Sequence, residues 1–156
     1  MTEHKINLRS YDLSIGDDET LRLWNQRKDI QDISDDSSLS YTVLNEEILQ
    51  RNSLLMIEFE GDTVGCVGMI CDDKKNSITL GIIIAEPEHR KRGLGSIALQ
   101  LALQQILKET TITKVHAYVY HDNLPAVRLF EKHNFKIAAR ILFKKKSTFH
   151  YILQLR

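Results

Sequence analysis

The sequence lacks the features that mark disulfide-rich, metal-binding, membrane-spanning and secreted proteins. Two cysteines, Cys66 and Cys71, occur in 156 residues, too few for a disulfide framework or a metal site. They stand in one strand-like run at positions of opposite parity, so we expect them on opposite sides of it as small packed residues. No apolar run approaches the roughly eighteen residues of a membrane span, and the amino terminus has no secretory pattern.

An excess of charge of one sign is also lacking. Lys and Arg total 21 and Asp and Glu total 21, so no overall field would recruit nucleic acid or a membrane surface. The shares of hydrophobic (42%) and charged (27%) residues are those of a folded protein, and the length predicts one domain over residues 1–156. We therefore expect a cytoplasmic protein without nucleic-acid, membrane or metal partners. The oligomeric state stays open, a homodimer included.

What the chain does have is a strand, a basic turn and a glycine-rich helix start. An apolar run that ends at Ile84 leads through this turn into Gly93-Leu94-Gly95-Ser96 and a helical pattern. A helix N-terminus favours anions because its N–H groups lack partners and its dipole is positive. The glycines allow close approach of the backbone to a ligand. The segment predicts a pyrophosphate site, with these cations at its rim: Arg90, Lys91 and Arg92.

Three phosphate-binding motifs compete for this segment. The nucleoside-triphosphate loop needs a lysine followed by Ser or Thr after the glycines, and none is present. Gly93, Gly95 and Ala98 match the residue pattern of the dinucleotide fingerprint. However, residues Ala85 to Arg92 separate the strand from the glycines, and the rest of the chain is too short to form a dinucleotide-binding sheet. The third motif, R-x-x-G-x-G, begins at Arg90. It resembles the acyl-coenzyme-A loop of the GNAT N-acetyltransferases.

A second segment carries the same resemblance. After a strand-like run that ends at Tyr120, an asparagine, a small residue and an aliphatic-aromatic-Glu-Lys helix follow in the family's order. The matching residues are Asn123, Ala126, Leu129, Phe130, Glu131, Lys132 and Phe135. Asn134 stands where the family has glycine, and asparagine tolerates the left-handed conformation expected there. A weaker resemblance, at Trp24-Asn25-x-Arg27, is to the branch that acetylates ribosomal-protein N-termini, spermidine or nucleotide-linked amino sugars.

The resemblance implies an α/β (α+β) protein with the GNAT fold. This is a mixed, mostly antiparallel sheet of about seven strands with helices on both faces, in which strands four and five splay apart. The strand-like segments are Lys5–Tyr11, Leu54–Phe59, Val64–Cys71, Ile78–Ile84, Lys114–Tyr120, Lys136–Phe143 and His150–Leu155. The helical segments are Glu19–Gln26, Asn45–Asn52, Ser96–Lys108 and Asn123–His133. Asp17 and Asp18 are the capping candidates for the first of them, and an irregular acidic stretch covers Asp29–Ser40.

The function that the resemblance implies is transfer of an acetyl group from acetyl-CoA to a primary amine of a small molecule or peptide by direct attack. The pantetheine arm would lie between strands four and five. The residues expected to bind the co-substrate are Ile82, Ile83, Ile84, Arg90, Lys91, Arg92, Gly93, Leu94, Gly95, Ser96, Asn123, Ala126, Phe130 and Lys132. A non-catalytic coenzyme-A-binding sensor or interaction module is the alternative. Family members often have tyrosine at the position of Phe130 to protonate the leaving thiolate, and Phe has no proton to give.

The general base and the acceptor pocket are less well defined. Where many family members place a glutamate, this chain has Ser77-Ile78-Thr79. The candidates for the base are Tyr118, Tyr120 and His121, each with packing or a loop as the plainer interpretation. An acidic run follows the first helix, where the family recognises its acceptor. Its carboxylates and flanking aromatics suit a cationic amine, although a solvated loop is the plainer interpretation. The residues of this predicted acceptor site are Trp24, Asp29, Asp32, Asp35, Asp36 and Tyr41.

Overall fold

The computed structural model describes the backbone of residues 5–33, 52–143 and 145–156. Within these ranges seven strands form one sheet in the order β1-β2-β3-β4-β5-β7-β6. Neighbouring strands are antiparallel except β4 and β5, which are parallel. The predicted mixed sheet is confirmed. Its strands are β1 (Ile6–Ser10), β2 (Asn52–Phe59), β3 (Asp62–Asp72), β4 (Ser77–Ile84), β5 (Lys114–Tyr120), β6 (Lys136–Phe143) and β7 (Lys146–Gln154).

Helices cover both faces of the sheet, as predicted. They are α1 (Asp17–Gln26), α2 (Lys28–Ile33), α3 (Leu94–Glu109) and α4 (Leu124–Lys132). Leu99 of α3 and Phe130 of α4 pack in the main core. Trp24 and Ile30 form a second core on the other face with Met56 and Cys66 of the sheet. None of the helices within the described ranges has the length and hydropathy needed to cross a membrane.

The strands β4 and β5 splay apart as predicted. They pair at three positions, Ser77↔Lys114, Ile78↔Val115 and Thr79↔His116, and then diverge. The later part of β4, Leu80–Ile84, keeps its pairing with β3, and β5 keeps its pairing with β7. The result is a wedge-shaped opening in the middle of the sheet, next to the start of α3.

Several boundaries differ from those predicted. Asp17 is the first residue of α1 rather than a cap, because its buried carboxylate pairs with Arg9 at 2.6 Å and 2.9 Å, and Gly16 takes the cap position. The acidic stretch expected to be irregular begins with α2. Asn52 opens β2, while the rest of the helix predicted for Asn45–Asn52 lies outside the described residues. Cys66 is buried as expected, but Cys71, at the end of β3, is exposed.

Candidate active site

A groove of about 520 Å³ lies between β4, the start of α3 and the first turns of α4. Its apolar walls come mainly from β4 and α4, and its polar end comes from the basic turn and the helix start. Cations lie along it and no acidic side chain is among the described residues of its lining, so it suits a ligand with an apolar arm and an anionic end. The lining residues are Ile82, Ile83, Ile84, His89, Arg90, Lys91, Gly93, Leu94, Gly95, Ser96, Asn123, Pro125, Ala126, Arg128, Leu129 and Lys132.

The start of α3 presents free backbone amides to this groove. Gly93 is the cap residue in the left-handed conformation (φ 78°), which costs glycine little. The N–H of Ile97 donates to the carbonyl of Gly93 at 3.2 Å, so the N–H groups of Leu94, Gly95 and Ser96 precede the first helical bond. No side chain among the described residues caps the helix at Gly93. These amides and the helix dipole together form a site for phosphate oxygens.

Arg90 lines the groove, and its guanidinium also holds the end of β4. Its Nε donates to the carbonyl of Ile84 at 2.9 Å, and its Nη2 donates to the carbonyl of Ala85 at 3.1 Å and to Asp29 at 3.0 Å. Arg27 donates to the same carbonyl of Ala85 at 2.7 Å and to the same carboxylate at 2.8 Å. The hydrogen bond from Arg27, reinforced by the one from Arg90, holds the pKa of Asp29 well below its usual range. Asp29, expected to bind the acceptor, is thus occupied by two guanidinium groups.

We expect Asp29→Asn to lower the turnover number by roughly tenfold, because a small displacement of the strand end misplaces the reacting groups. Thermal unfolding should shift only modestly, because the ion pairs of Asp29 are partly exposed and such pairs contribute on the order of 1 kcal/mol. Glu19→Gln is the matched control, since Glu19 pairs with Arg22 on the exposed surface of α1. Equal turnover numbers for both variants and the parent would show that Asp29 does not position β4.

Two further predicted residues, Arg92 and Trp24, are not among those that line the groove. Arg92 lies 5.1 Å from the ring centre of Phe59 and 3.3 Å from His89 Nδ1, and it is not among the lining residues. Trp24 is buried, and its indole N–H donates to Glu86 at 2.8 Å, so it anchors α1 to the chain after β4. Three other members of the predicted acceptor site, Asp35, Asp36 and Tyr41, lie outside the described residues. The backbone of Asp32 is described, but its side chain is not.

Phe130 packs in the core and is not among the residues that line the groove. It is 3% exposed, and its ring lies edge-on to Phe135 at 5.0 Å and stacked on Tyr151 at 6.3 Å. The hydroxyl of Tyr151 donates to Glu131 at 2.8 Å. Burial, together with this bond, raises the pKa of that phenol. The structure therefore places the aromatic residue of α4 between the helix and β7.

We expect Phe130→Tyr to lower the melting temperature, because an unpaired hydroxyl would be added to the core at a cost of about 1–3 kcal/mol. Turnover should not rise, since Phe130 is buried and is not among the residues that line the groove. The measurement is thiol release and thermal unfolding of both proteins across pH. A gain in turnover at neutral pH that fades at alkaline pH would instead put this ring at the leaving sulfur.

The three residues predicted to supply the base do not converge. Tyr118 is 40% exposed and stacks on His150 at 4.5 Å. Tyr120 is buried beneath the ammonium of Lys146, 4.1 Å from its ring centre. His121 is exposed, with its Nδ1 3.3 Å from the carbonyl of Ser147. Of the three, Tyr118 is the exposed side chain on the opened part of β5.

Sequence reasoning missed several residues of the groove and its surroundings. Arg128 lines the groove together with Lys132, and their spacing of four on α4 could have shown that they share one face. The hydroxyl of Ser96 lies 2.7 Å from Nε2 of His133, which links the start of α3 to the end of α4. No local pattern predicts that contact, because it depends on how the two helices pack. His89, Pro125 and Leu129 were likewise not predicted.

Comparison with known proteins assigns the class of protein. Residues 18–135 match the Acetyltransferase (GNAT) family, and the chain therefore belongs to that family. Acetyl-CoA is the co-substrate of GNAT acetyltransferases.

Individual relatives share part of their length with the chain. Mouse (Mus musculus) alpha/beta-tubulin-N-acetyltransferase 9 is 35% identical over 83 residues, which cover 51% of this chain and 34% of that protein. An N-acetyltransferase 9-like protein from Nematostella vectensis is 30% identical over 116 residues, 72% of this chain and 57% of that protein. The chain thus spans between a third and somewhat more than half of these relatives. Spermidine N-acetyltransferase from Vibrio cholerae, solved with CoA and spermine, shares the fold with a TM-score of 0.82, 18% identity and coverage of 97% of this chain and 96% of that one.

Proposed function

We propose that the chain transfers an acetyl group from acetyl-CoA to a primary amine of a small molecule or peptide, and that residues 1–156 form the single domain that does so. One observation carries this proposal: the opening between β4 and β5 continues into a basic groove at the bare N-terminus of α3. An opening in a sheet exposes strand edges to an amide-containing arm, and a helix N-terminus holds phosphate. Coenzyme A has both an amide-containing pantetheine arm and a pyrophosphate.

The groove supplies a position for each part of coenzyme A. The amides of Leu94, Gly95 and Ser96 would receive the pyrophosphate, with Lys91 nearby. The pantetheine would run along the open edge of β4. Asn123 caps α4 by accepting from the N–H of Ala126 at 3.4 Å, and both line the groove, so the cap also shapes the wall against the arm. Arg128 and Lys132 extend the positive lining along α4.

The open edge of β4 also suits the chemistry of the thioester. The N–H of Ala85 donates to Val64 of β3 at 2.7 Å, so strand alternation turns the N–H groups of Ile84 and Ile82 toward the opening. An amide there would stabilise the oxyanion that forms when the amine attacks the thioester carbonyl. The coenzyme thiolate can leave without a tyrosine acid, because a thiol with a pKa near 8.5 is a good leaving group.

The family's chemistry and the relatives' names support a primary amine as the acceptor. Tubulin and spermidine, named in two of these relatives, both offer primary amines. A polyamine and a peptide with a free amino group are therefore the first acceptors to test.

The test is release of coenzyme A thiol, measured with DTNB, over a panel of polyamines, aminoglycosides and peptides. Mass spectrometry of the product identifies the acetylated nitrogen. We expect at least one amine to raise thiol release above the rate without amine, with one acetyl group added per thiol. Coenzyme binding without amine-dependent release for any member of a broad panel would favour a binding module instead.

A further inference from the structure

Three aromatic rings form a stack on the sheet beside the opening. His116 and Tyr118 stand two apart on β5, and His150 lies opposite Tyr118 on β7. The His150 ring lies 5.0 Å from that of His116 and 4.5 Å from that of Tyr118, at interplanar angles of 22° and 11°. Nδ1 of His116 and Nε2 of His150 are 2.8 Å apart, a direct hydrogen bond between two histidines. Both histidines are half-buried.

This stack lies at the closed end of the opening, on the face away from the groove helices. His116 pairs with Thr79 at the last position where β4 and β5 are joined. Alternate residues of β5, Val115 and Ala117, point into the core beneath α3, so His116 and Tyr118 point to the opposite face. Ile83 of the open edge also points to that face. A thioester that reaches through the opening would meet an acceptor on the face that carries the stack.

A hydrogen bond between two neutral imidazoles has a chemical consequence. Each neutral ring has one N–H and one lone pair, and the shared bond uses one N–H and one lone pair. Whichever tautomer is present, one outer nitrogen, Nε2 of His116 or Nδ1 of His150, has a lone pair and the other has an N–H. A proton arriving at the first can therefore shift the shared proton and release another at the far end. The pair is built to accept and pass on one proton.

We propose that the hydrogen-bonded pair His116–His150 accepts the proton that the acceptor amine loses during acetyl transfer. The inference rests on the proposed function. The amine lone pair forms the C–N bond to the thioester carbonyl, the nitrogen proton passes to the outer lone pair of the histidine pair, and the oxyanion then collapses with cleavage of the C–S bond. The coenzyme leaves as thiolate and takes up a proton from solvent, and the pair returns its proton to water.

Burial, more than the surrounding charges, favours the neutral form of the pair at physiological pH. Burial lowers the pKa of His116 from its usual 6.5, and His150, Lys114 and Lys75 lower it further, while Asp72 opposes them. Burial also lowers the pKa of His150, which faces His116 and the phenol of Tyr118. A base of this strength suffices, because the amine nitrogen becomes far more acidic once it has bonded to the carbonyl carbon. The pair is thus available as a base above its lowered pKa and is lost as pH falls through that pKa.

The experiment compares kcat/KM for one good amine across pH in the parent, His116→Gln, His150→Gln and the double variant. Ionisation of the amine itself cancels in the ratio of parent to variant. We expect each variant to be about a hundredfold slower at neutral pH, with the double variant no slower than either single one. The ratio should fall toward one as pH drops through the pair's pKa. Ile152→Val is the matched control, because Ile152 opposes His116 in the sheet and does not titrate.

A purely structural role gives a different result. In that case the ratio of parent to variant would be the same at every pH, which overturns the proposal, as would variants with the parent's rate. If the Gln variants fail to fold, His116→Asn, His150→Asn and NMR titration of the parent's histidine rings replace them. The ring pKa must then coincide with the acidic limb of the parent's rate. A parent that acetylates no amine would overturn the proposed function as well, whereas an active parent with unaffected variants overturns the pair alone.

Discussion

Replacing Gly65 by alanine should distort the open edge of β4 and impair both folding and turnover. Gly65 lies on β3 opposite Ile84, and a Cβ built on it would lie 2.1 Å from the carbonyl oxygen of Ile83. That oxygen belongs to the backbone, so it cannot swing aside as a flexible side chain could. We expect the free energy of unfolding to fall by about 1–3 kcal/mol, as in other overpacked sites. The turnover number should fall by roughly tenfold or more, because Ile83 and Ile84 line the groove.

The matched control is Gly95→Ala, which adds the same methyl group where there is room. Among the described residues, a Cβ at Gly95 would meet Leu129 at 3.7 Å and Ile84 at 3.9 Å, both ordinary contacts. Because alanine favours a helix more than glycine does, this variant should unfold no earlier than the parent. Gly95→Ala is a control for stability only, because Gly95 lines the groove. Thermal unfolding of both variants and thiol release by Gly65→Ala test the prediction. A Gly65→Ala protein with the parent's melting temperature and turnover would show that β4 tolerates the displacement.

Much of the fold could be predicted because its signals are local. The strand-like runs Lys114–Tyr120 and Lys136–Phe143 predicted the bounds of β5 and β6 as the structure has them. Asn123 caps α4 as its position before Pro125 suggested, and Asn134 takes a positive φ of 70° just past the helix. The glycine motif likewise predicted the start of a helix, although α3 begins two residues earlier than expected, at Leu94.

The rest depends on contacts between residues that are far apart in the chain. The sequence motif predicts that Arg90 binds phosphate, and it does not predict that the guanidinium also bonds to Asp29, 61 positions earlier, and to the carbonyls of Ile84 and Ala85. The histidine pair joins residues 34 positions apart through the β5–β7 register, which no local pattern specifies. The sequence indicated only that Gly65 lies in a strand. The requirement for glycine at this position comes from the backbone of the neighbouring strand, which approaches it closely. Packing across the sheet, rather than residue type, decided these roles.

A valine at either glycine of the α3 start should abolish most of the affinity for coenzyme A. Gly93 has φ 78°, a conformation that costs a residue with a Cβ roughly 1–2 kcal/mol, and a branched side chain would also stand over the amides that follow. Gly95 is helical and tolerates a Cβ within the protein, so Gly95→Val tests access to the amides without backbone strain. Each hydrogen bond to a charged phosphate contributes about 1.5–3 kcal/mol, so losing two predicts at least about a hundredfold weaker binding.

Calorimetric titration of coenzyme A into the parent, Gly93→Val, Gly95→Val and Lys91→Ala tests the central claim that the bare N-terminus of α3 holds the pyrophosphate. Lys91 is exposed at the groove rim, so its loss should weaken binding only a few-fold at physiological salt. We expect both valine variants to bind at least about a hundredfold more weakly than the parent. Gly95→Val should keep the parent's thermal unfolding, whereas Gly93→Val should unfold earlier because of the strain at φ 78°. Unchanged affinity in the two folded valine variants would contradict the account, because it would place the coenzyme elsewhere on the protein.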